Sequence, residues 1–226
     1  MKNWLIYDNI NKFYYESTFE DVKQKHNWVS YEIFYKENYE CEYSNTGNIY
    51  EMYDCVVEPN DIVVDLGSNV GFFTNKIAPI ASRVISVEGS PELFSCLVKN
   101  TFQYQNIEYV NANIVSDENI KEKNIWSYRP STINLTLKQL FDLYNLEKID
   151  FLKVDIESAE YDIFHENIDP LLLSKIRKIS MEIHVDQTNY DDINVNRLIK
   201  NIKNKNVKNF TWYLPSHVQK TLYFTS

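Results

Sequence analysis

The segment that most restricts the fold is Asp61-Ile-Val-Val-Asp-Leu-Gly-Ser-Asn-Val-Gly-Phe-Phe73. An apolar run of strand length ends in an acidic residue, a turn carries glycines at 67 and 71, and a segment of helical character follows. That order opens a β-α-β unit, and in open α/β sheets such a turn borders the crevice at the carboxyl ends of the strands, where ligands bind. The chain has only 4 glycines, Gly47, Gly67, Gly71 and Gly89, where average usage predicts roughly 16. Residues so scarce are expected where no side chain fits, here where a ligand lies against bare backbone.

From Asp61 onward, short apolar runs alternate with longer helical segments, the pattern of repeated strand-helix units and a mostly parallel sheet. Strands are predicted at Ile62–Leu66, Arg83–Val87, Ile107–Val110, Phe151–Val154 and Ile179–Ile183. Helices are predicted at Phe72–Ala81, Pro91–Tyr104, Thr136–Tyr144, Ala159–Leu173 and Ile193–Lys203. Phe210–Leu214 and Lys220–Phe224, around a Pro-Ser-His turn, read as an antiparallel pair at a sheet edge. The fold class is therefore α/β: a Rossmann-like, seven-stranded, mostly parallel sheet with helices on both faces and an antiparallel C-terminal edge strand. Residues 1–58, rich in Tyr, Glu and Asn, read as an N-terminal cap of helices plus a small hairpin, Tyr39–Tyr43 with Ile49–Tyr53 turning at Gly47. Residues 59–226 form the ligand-binding domain.

Strand Arg83–Val87 runs into Glu88-Gly89, and Glu88 falls 21 residues after Gly67. This matches the roughly 20-residue separation between a nucleotide-binding glycine loop and an acid that takes both ribose hydroxyls. Asp65, beside the loop, would repel a pyrophosphate but suits a cationic ligand such as the ammonium and sulfonium of S-adenosylmethionine. With the third glycine of a dinucleotide fingerprint missing, that disfavours a nicotinamide cofactor. Asn113, after the next strand, carries an amide able to pair with an adenine edge.

Charge and cysteine content narrow the class further. A formal charge of −9 disfavours general binding to a phosphate backbone, so nucleic acid is not an expected partner. The basic stretch Lys200–Lys208 reads as a solvated helix face. Cys41, Cys55 and Cys96 form neither a disulfide framework nor a zinc spacing. The N-terminus lacks a signal-peptide core, and no run suggests a membrane span, so a cytoplasmic location is expected.

Four stretches, VVDLGSNVGFF (63–73), VISVEGSPELFSCLVKN (84–100), IDFLKVDIESAEYDIF (149–164) and ISMEIHV (179–185), together resemble the FkbM methyltransferase family among class I S-adenosylmethionine-dependent enzymes. The resemblance implies that Asp65, Gly67, Ser68, Asn69 and Gly71 form the donor loop, that Glu88 with Gly89 holds the ribose, and that Asn113 lies near the adenine. It also implies O-methylation of a sugar, glycan or small natural product. The chain departs from the family pattern at Glu88-Gly89, Lys138 and Glu157-Ser158.

Strand Phe151–Val154 ends in Asp155-Ile-Glu157, and the following strand carries Glu182 and ends in His184. In a parallel sheet these ends share the cleft edge with the glycine loop, which makes His184, Asp155 and Glu157 the catalytic candidates and adds Asp155 to the cofactor site. An alcohol is a poor nucleophile when neutral, so His184 is the expected base. Alternatively Asp155 and Glu182, with or without His184, hold a divalent cation that lowers the hydroxyl pKa. Lys153 interrupts an apolar strand and is expected to pair with Glu182. Trp126, Tyr128 and Arg129 are candidates for the acceptor side. A donor-fold domain that binds without catalysis, and a nicotinamide oxidoreductase, are the competing readings.

Overall fold

The structure, a computed structural model, describes residues 3–8, 13–18, 51, 54–117, 133–156, 159–183, 192–202, 205–213 and 218–225. The strands are β1 (Asn3–Asp8), β2 (Phe13–Thr18), β3 (Ile62–Leu66), β4 (Arg83–Val87), β5 (Ile107–Val110), β6 (Ala112–Ile114), β7 (Ile133–Leu135), β8 (Ile149–Val154), β9 (Ile176–Ile183), β10 (Asn206–Tyr213) and β11 (Val218–Thr225). The helices are α1 (Phe72–Ile77), α2 (Pro91–Thr101), α3 (Leu137–Leu143), α4 (Glu160–Ile163), α5 (Pro170–Ser174) and α6 (Asp192–Asn201). A seven-stranded sheet in the order β10-β11-β9-β8-β3-β4-β5 carries the architecture. Neighbours from β9 to β5 are parallel, and β11 is antiparallel to both β9 and β10. The C-terminal pair is thus antiparallel at one edge, with β10 outermost and β11 inserted against β9.

Side chains alternate across the sheet and sort the core into two layers. Val64, Leu66, Ile85, Val87, Leu152 and Val154 face one side and pack with Leu140 of α3, Ile163 of α4, Leu173 of α5 and Leu198 of α6. Val63, Val84 and Phe151 face the other and pack with Phe73 and Ile77 of α1, the rings of Phe73 and Phe151 stacking at 5.9 Å. The helices change faces where β3 meets β8, which is the topological switch point of a doubly wound sheet.

Local chemistry fixes the helix starts. Ser90 accepts the amide of Leu93 and Pro91 opens α2, while Thr136 and Gln139 form a reciprocal capping box on α3. The single helix expected over Ala159–Leu173 is two short ones. Pro170 has no N–H to continue a helix, and Asp169 caps a new start by accepting the amide of Leu171. Two small elements went unread in the sequence: the antiparallel ribbon β1-β2 and the parallel pair β6-β7, the latter short and partly exposed. The hairpin expected at Gly47 and the acceptor-side candidates Trp126, Tyr128 and Arg129 lie outside the described residues. Cys55 and Cys96 are buried and outside any disulfide, and burial pushes Cys55 up to about 12. Among the described residues, no helix is long and apolar enough to cross a membrane.

At the amino edge of the sheet an ionic clamp joins strand starts to the segment before β3. Arg177 of β9 bonds Glu58 and Asp61 and lies 3.4 Å from Asp150 at the start of β8. Lys178 donates to Glu58 and to the carbonyl of Val56. Hydrogen bonds from Lys178 and Arg177 hold the Glu58 carboxyl at about 2 against an ordinary 4.5. A depressed carboxylate contributes stability above its unfolded pKa and loses it as pH falls through the folded one. Glu58→Gln is therefore expected to be less stable than the parent in denaturant melts at neutral pH. The difference should close between about pH 4.5 and 2; a pH-independent difference would remove Glu58 from the clamp.

Candidate functional site

Parallel register brings Ser86, Asp65, Lys153 and Ser180 side by side across β4, β3, β8 and β9. The next residues on that face toward the carboxyl edge are Glu88, Gly67, Asp155 and Glu182. This polar row lies among the buried apolar residues of the central strands. At its centre Asp65, 0% exposed, accepts the Thr74 hydroxyl through Oδ2 at 2.7 Å. Its Oδ1 lies 3.2 Å from the ammonium of Lys153, an ion pair rather than an aligned hydrogen bond. Thr74 also meets the Ser86 hydroxyl at 2.7 Å.

The sequence suggested that Asp65 faces a cationic ligand and that Lys153 pairs with Glu182. The structure supplies the cation for Asp65 from within: Lys153 lies opposite it on the adjacent strand, and the ammonium also donates to the carbonyl of Gly67 at 2.7 Å. Asp155, whose side chain is 23% exposed, lies 3.6 Å from the same ammonium.

The glycines also have a reason other than the expected one. Gly67 has φ +74, and a Cβ there would lie 1.6 Å from the carbonyl oxygen of Asp155. Gly71 has φ +93, and its Cβ would meet Leu97 and Thr101 of α2. A Cβ on Gly89 would lie 2.1 Å from Oδ1 of Asn113. The missing side chains make room for the protein's own close packing.

The loop amides are likewise engaged internally. Gly67 and Ser68 both donate to the carbonyl of Val87, Gly71 donates to Ser68, and Asn69 donates to Glu88 Oε2 at 2.8 Å. Asn69 takes φ +51, a left-handed turn position that Asn tolerates. Ser68 is buried and bonds the carbonyl of Asp65.

Glu88 sits at the end of β4 and is 8% exposed. Its second oxygen accepts the Ser90 amide at 2.7 Å. Burial pushes the carboxyl above the usual glutamate value, although the amides of Ser90 and Asn69 and the charge of Lys153 act the other way. Asn111, not singled out from sequence, braces this corner by donating to the carbonyl of Glu88. Asn113, on β6, donates to Asn134 of β7 with its oxygen against Gly89. Asp65, Gly67, Ser68, Asn69, Gly71, Glu88, Gly89, Asn113 and Asp155 thus gather around the carboxyl ends of β3, β4 and β8.

His184, Glu157 and Ser158 lie outside the described residues, as do His26 and His217. The cation entertained for Asp155 and Glu182 finds no support. Among the described residues no group of three His, Cys, Asp or Glu side chains could hold a metal, and Lys153 already stands beside Asp155. His165, expected to be a surface or packing residue, borders a separate cavity of about 250 Å³ with Asp162 and Arg197. No residue of the glycine loop or strand ends lines that cavity.

Gly67 and Gly71 separate two costs. A left-handed φ strains any L-residue by about 1–2 kcal/mol, but Gly67 also meets backbone, whereas Gly71 meets the ends of side chains that can shift. Gly67→Ala is expected to cost at least about 2 kcal/mol and to melt below Gly71→Ala in thermal unfolding. The reverse order would contradict the packing at Asp155.

Comparison with known proteins bears on the fold and the family. Ribosomal RNA small subunit methyltransferase A of Alkaliphilus metalliredigens is 30% identical over 59 residues, 26% of this chain and 21% of that protein. The chain thus spans about a fifth of the curated relative it matches. Among solved structures, Aeropyrum pernix fibrillarin with natively bound S-adenosyl-L-methionine is similar at a TM-score of 0.50 and 14% identity, covering 78% of this chain and 71% of that one. An uncharacterized protein of Listeria monocytogenes reaches 0.50 at 11% identity, covering 75% and 63%. At such identities the likeness is one of fold, the Rossmann-like methyltransferase fold. The methyltransferase FkbM domain model matches residues 65–206, more than half of the chain and nearly every element around the site, and this protein belongs to the FkbM methyltransferase domain family.

Proposed function

We propose that this protein transfers the methyl group of S-adenosylmethionine to a hydroxyl of a sugar, glycan or small natural product. The observation that carries the reading is the disposition of the glycine loop. A dinucleotide site needs loop amides free to hold a pyrophosphate, and here the amides of Gly67, Ser68, Asn69 and Gly71 all have protein acceptors. What the loop edge offers instead is a carboxylate. Each oxygen of Glu88 accepts one backbone amide and keeps acceptor capacity for another donor, which fits a ribose diol. Asn113 stands at the neighbouring corner for the base.

The donor, once bound, brings an activated methyl group on a good leaving group. The chain's own work is then to orient the acceptor oxygen and take its proton. Asp155, partly open at the switch point, is the described side chain best placed to orient the acceptor, and His184 two residues beyond Glu182 is the proposed base. The acidic balance, −9 overall, favours a neutral hydroxylated acceptor over RNA, although the curated relative bears the name of a ribosomal RNA methyltransferase. We further propose that residues 1–58 cap this site.

Calorimetric titration with S-adenosylmethionine, S-adenosylhomocysteine and NAD tests the cofactor directly. The first two are expected to bind, and binding of NAD alone would sink the reading. Glu88→Ala is expected to weaken donor binding by about 1–3 kcal/mol, the scale of hydrogen bonds to a charged group. A ribose donor bonds the ionised carboxylate better, so affinity should fall on acidification as Glu88 takes up its proton. Because burial raises Glu88, that loss should begin above the ordinary 4.5. Affinity that stays flat through that range would take Glu88 out of the site. Activity on hydroxylated acceptors is expected to survive exhaustive chelation.

A further inference from the structure

Lys153 is the one cation on the polar row of β3, β4, β8 and β9. Its neighbours on that row are the wrong kind to replace it. The Ser180 hydroxyl, opposite it on β9, is buried without a hydrogen bond, so the ammonium serves the Oδ1 side of Asp65. The ammonium donates to the carbonyl of Gly67, the first residue of the cofactor loop, and lies 3.6 Å from the Asp155 carboxylate at the cleft. Its side chain is 4% exposed, so water competes little for these contacts.

We propose that Lys153 is a positioning residue: one buried ammonium holds the Gly67 carbonyl and the Asp155 carboxylate in a single arrangement, so that the cofactor loop and the acceptor-side acid are set together. The backbone already makes the two segments neighbours, because Gly67 has no room for a Cβ beside the carbonyl of Asp155 and the Asp155 amide donates to Leu66. Backbone packing fixes how close they come. The ammonium adds an attraction that reaches the Asp155 side chain, which the backbone contacts do not hold. Without it, the loop carbonyl and the Asp155 carboxylate lose a charged partner that touches both. This inference rests on the proposed donor site, and its consequence is a coupling between Asp155 and the loop that passes through Lys153.

The test uses the full-length chain. Lys153→Met alone would leave the Asp65 charge buried without its partner and would mix instability with function. The paired variant Asp65→Asn/Lys153→Met keeps the net charge, and Asp65→Asn alone, which retains the ammonium, is the reference that separates the strut from the Asp65 carboxylate. Where thermal melting and circular dichroism show that the paired variant folds, titration with S-adenosylmethionine and S-adenosylhomocysteine is expected to show affinity for both reduced about tenfold below that reference, the scale of coupling between residues in contact. Unchanged affinity in the folded variant would overturn the proposal and leave Lys153 a structural residue. Should the paired variant not fold, Asp155→Asn, which alters only the partly exposed carboxylate, carries the test in the free protein. Hydrogen exchange at the amides of Gly67 to Gly71 is expected to quicken severalfold, and unchanged exchange there would overturn the proposal. If the parent protein binds neither ligand, the donor reading fails by itself, while the exchange measurement still reports on the strut.

Discussion

Asp65 and Lys153 face each other across β3 and β8 at the switch point of the sheet, where almost no water reaches either side chain. Taking both charges out of water costs several kcal/mol per ion, and their attraction offsets this only when the remaining donors and acceptors are also satisfied. Here Thr74 bonds the second oxygen of Asp65, Ser86 joins Thr74, and the Gly67 carbonyl receives the ammonium. The pair therefore ties the first turn of α1, the glycine loop and the end of β8 into one unit. The glycine loop and the anchoring of Asn69 by Glu88 lie around it, while backbone packing sets the approach of Gly67 to Asp155.

The two edges of the sheet use charge differently. At the amino edge, Arg177, Lys178, Glu58, Asp61 and Asp150 are partners drawn from both signs, and they lock strand starts to the chain before β3. At the carboxyl edge, carboxylates predominate: Glu88, Asp155 and Glu182 lie along one face with Lys153 beneath them. Two backbone amides point at Glu88 and act against the burial that raises its carboxyl. Along this edge Glu88 still has acceptor capacity beyond the two amides it holds.

Much of this was legible beforehand. The bounds of β3, β4 and β5 agree with those read from the sequence; β3 and β4 lie inside the sheet, where a strand buried on both faces is a largely apolar segment with turn residues at its ends. Placing Glu88 beside the loop needed only the spacing of one β-α-β unit. The errors arose where the answer depended on non-local contact. Pairing Lys153 with Glu182 assumed the wrong neighbouring strand; β3 and β9 both flank β8, and no local pattern says which partner an inward lysine meets. The strands of the pair β6-β7 are only 3 residues long, and the ribbon β1-β2 falls in the polar, Tyr-rich stretch that the sequence suggested as a cap of helices and one hairpin. The helix assigned across Asp169-Pro170 ignored a break that the proline and its capping aspartate state plainly.

The sequence by itself determined the fold class, the loop and its acid, because hydrophobic periodicity, the scarcity of glycine and one fixed spacing are local properties of the chain. The reason the glycines are needed came from three-dimensional packing. Gly67, Gly71 and Gly89 looked like room left for a ligand, and they are room taken up by the Asp155 carbonyl, helix α2 and Asn113. It also decided that the charge opposite Asp65 belongs to Lys153. Both facts depend on which strands lie side by side, and strand order follows from the packing of the whole sheet rather than from any segment of it.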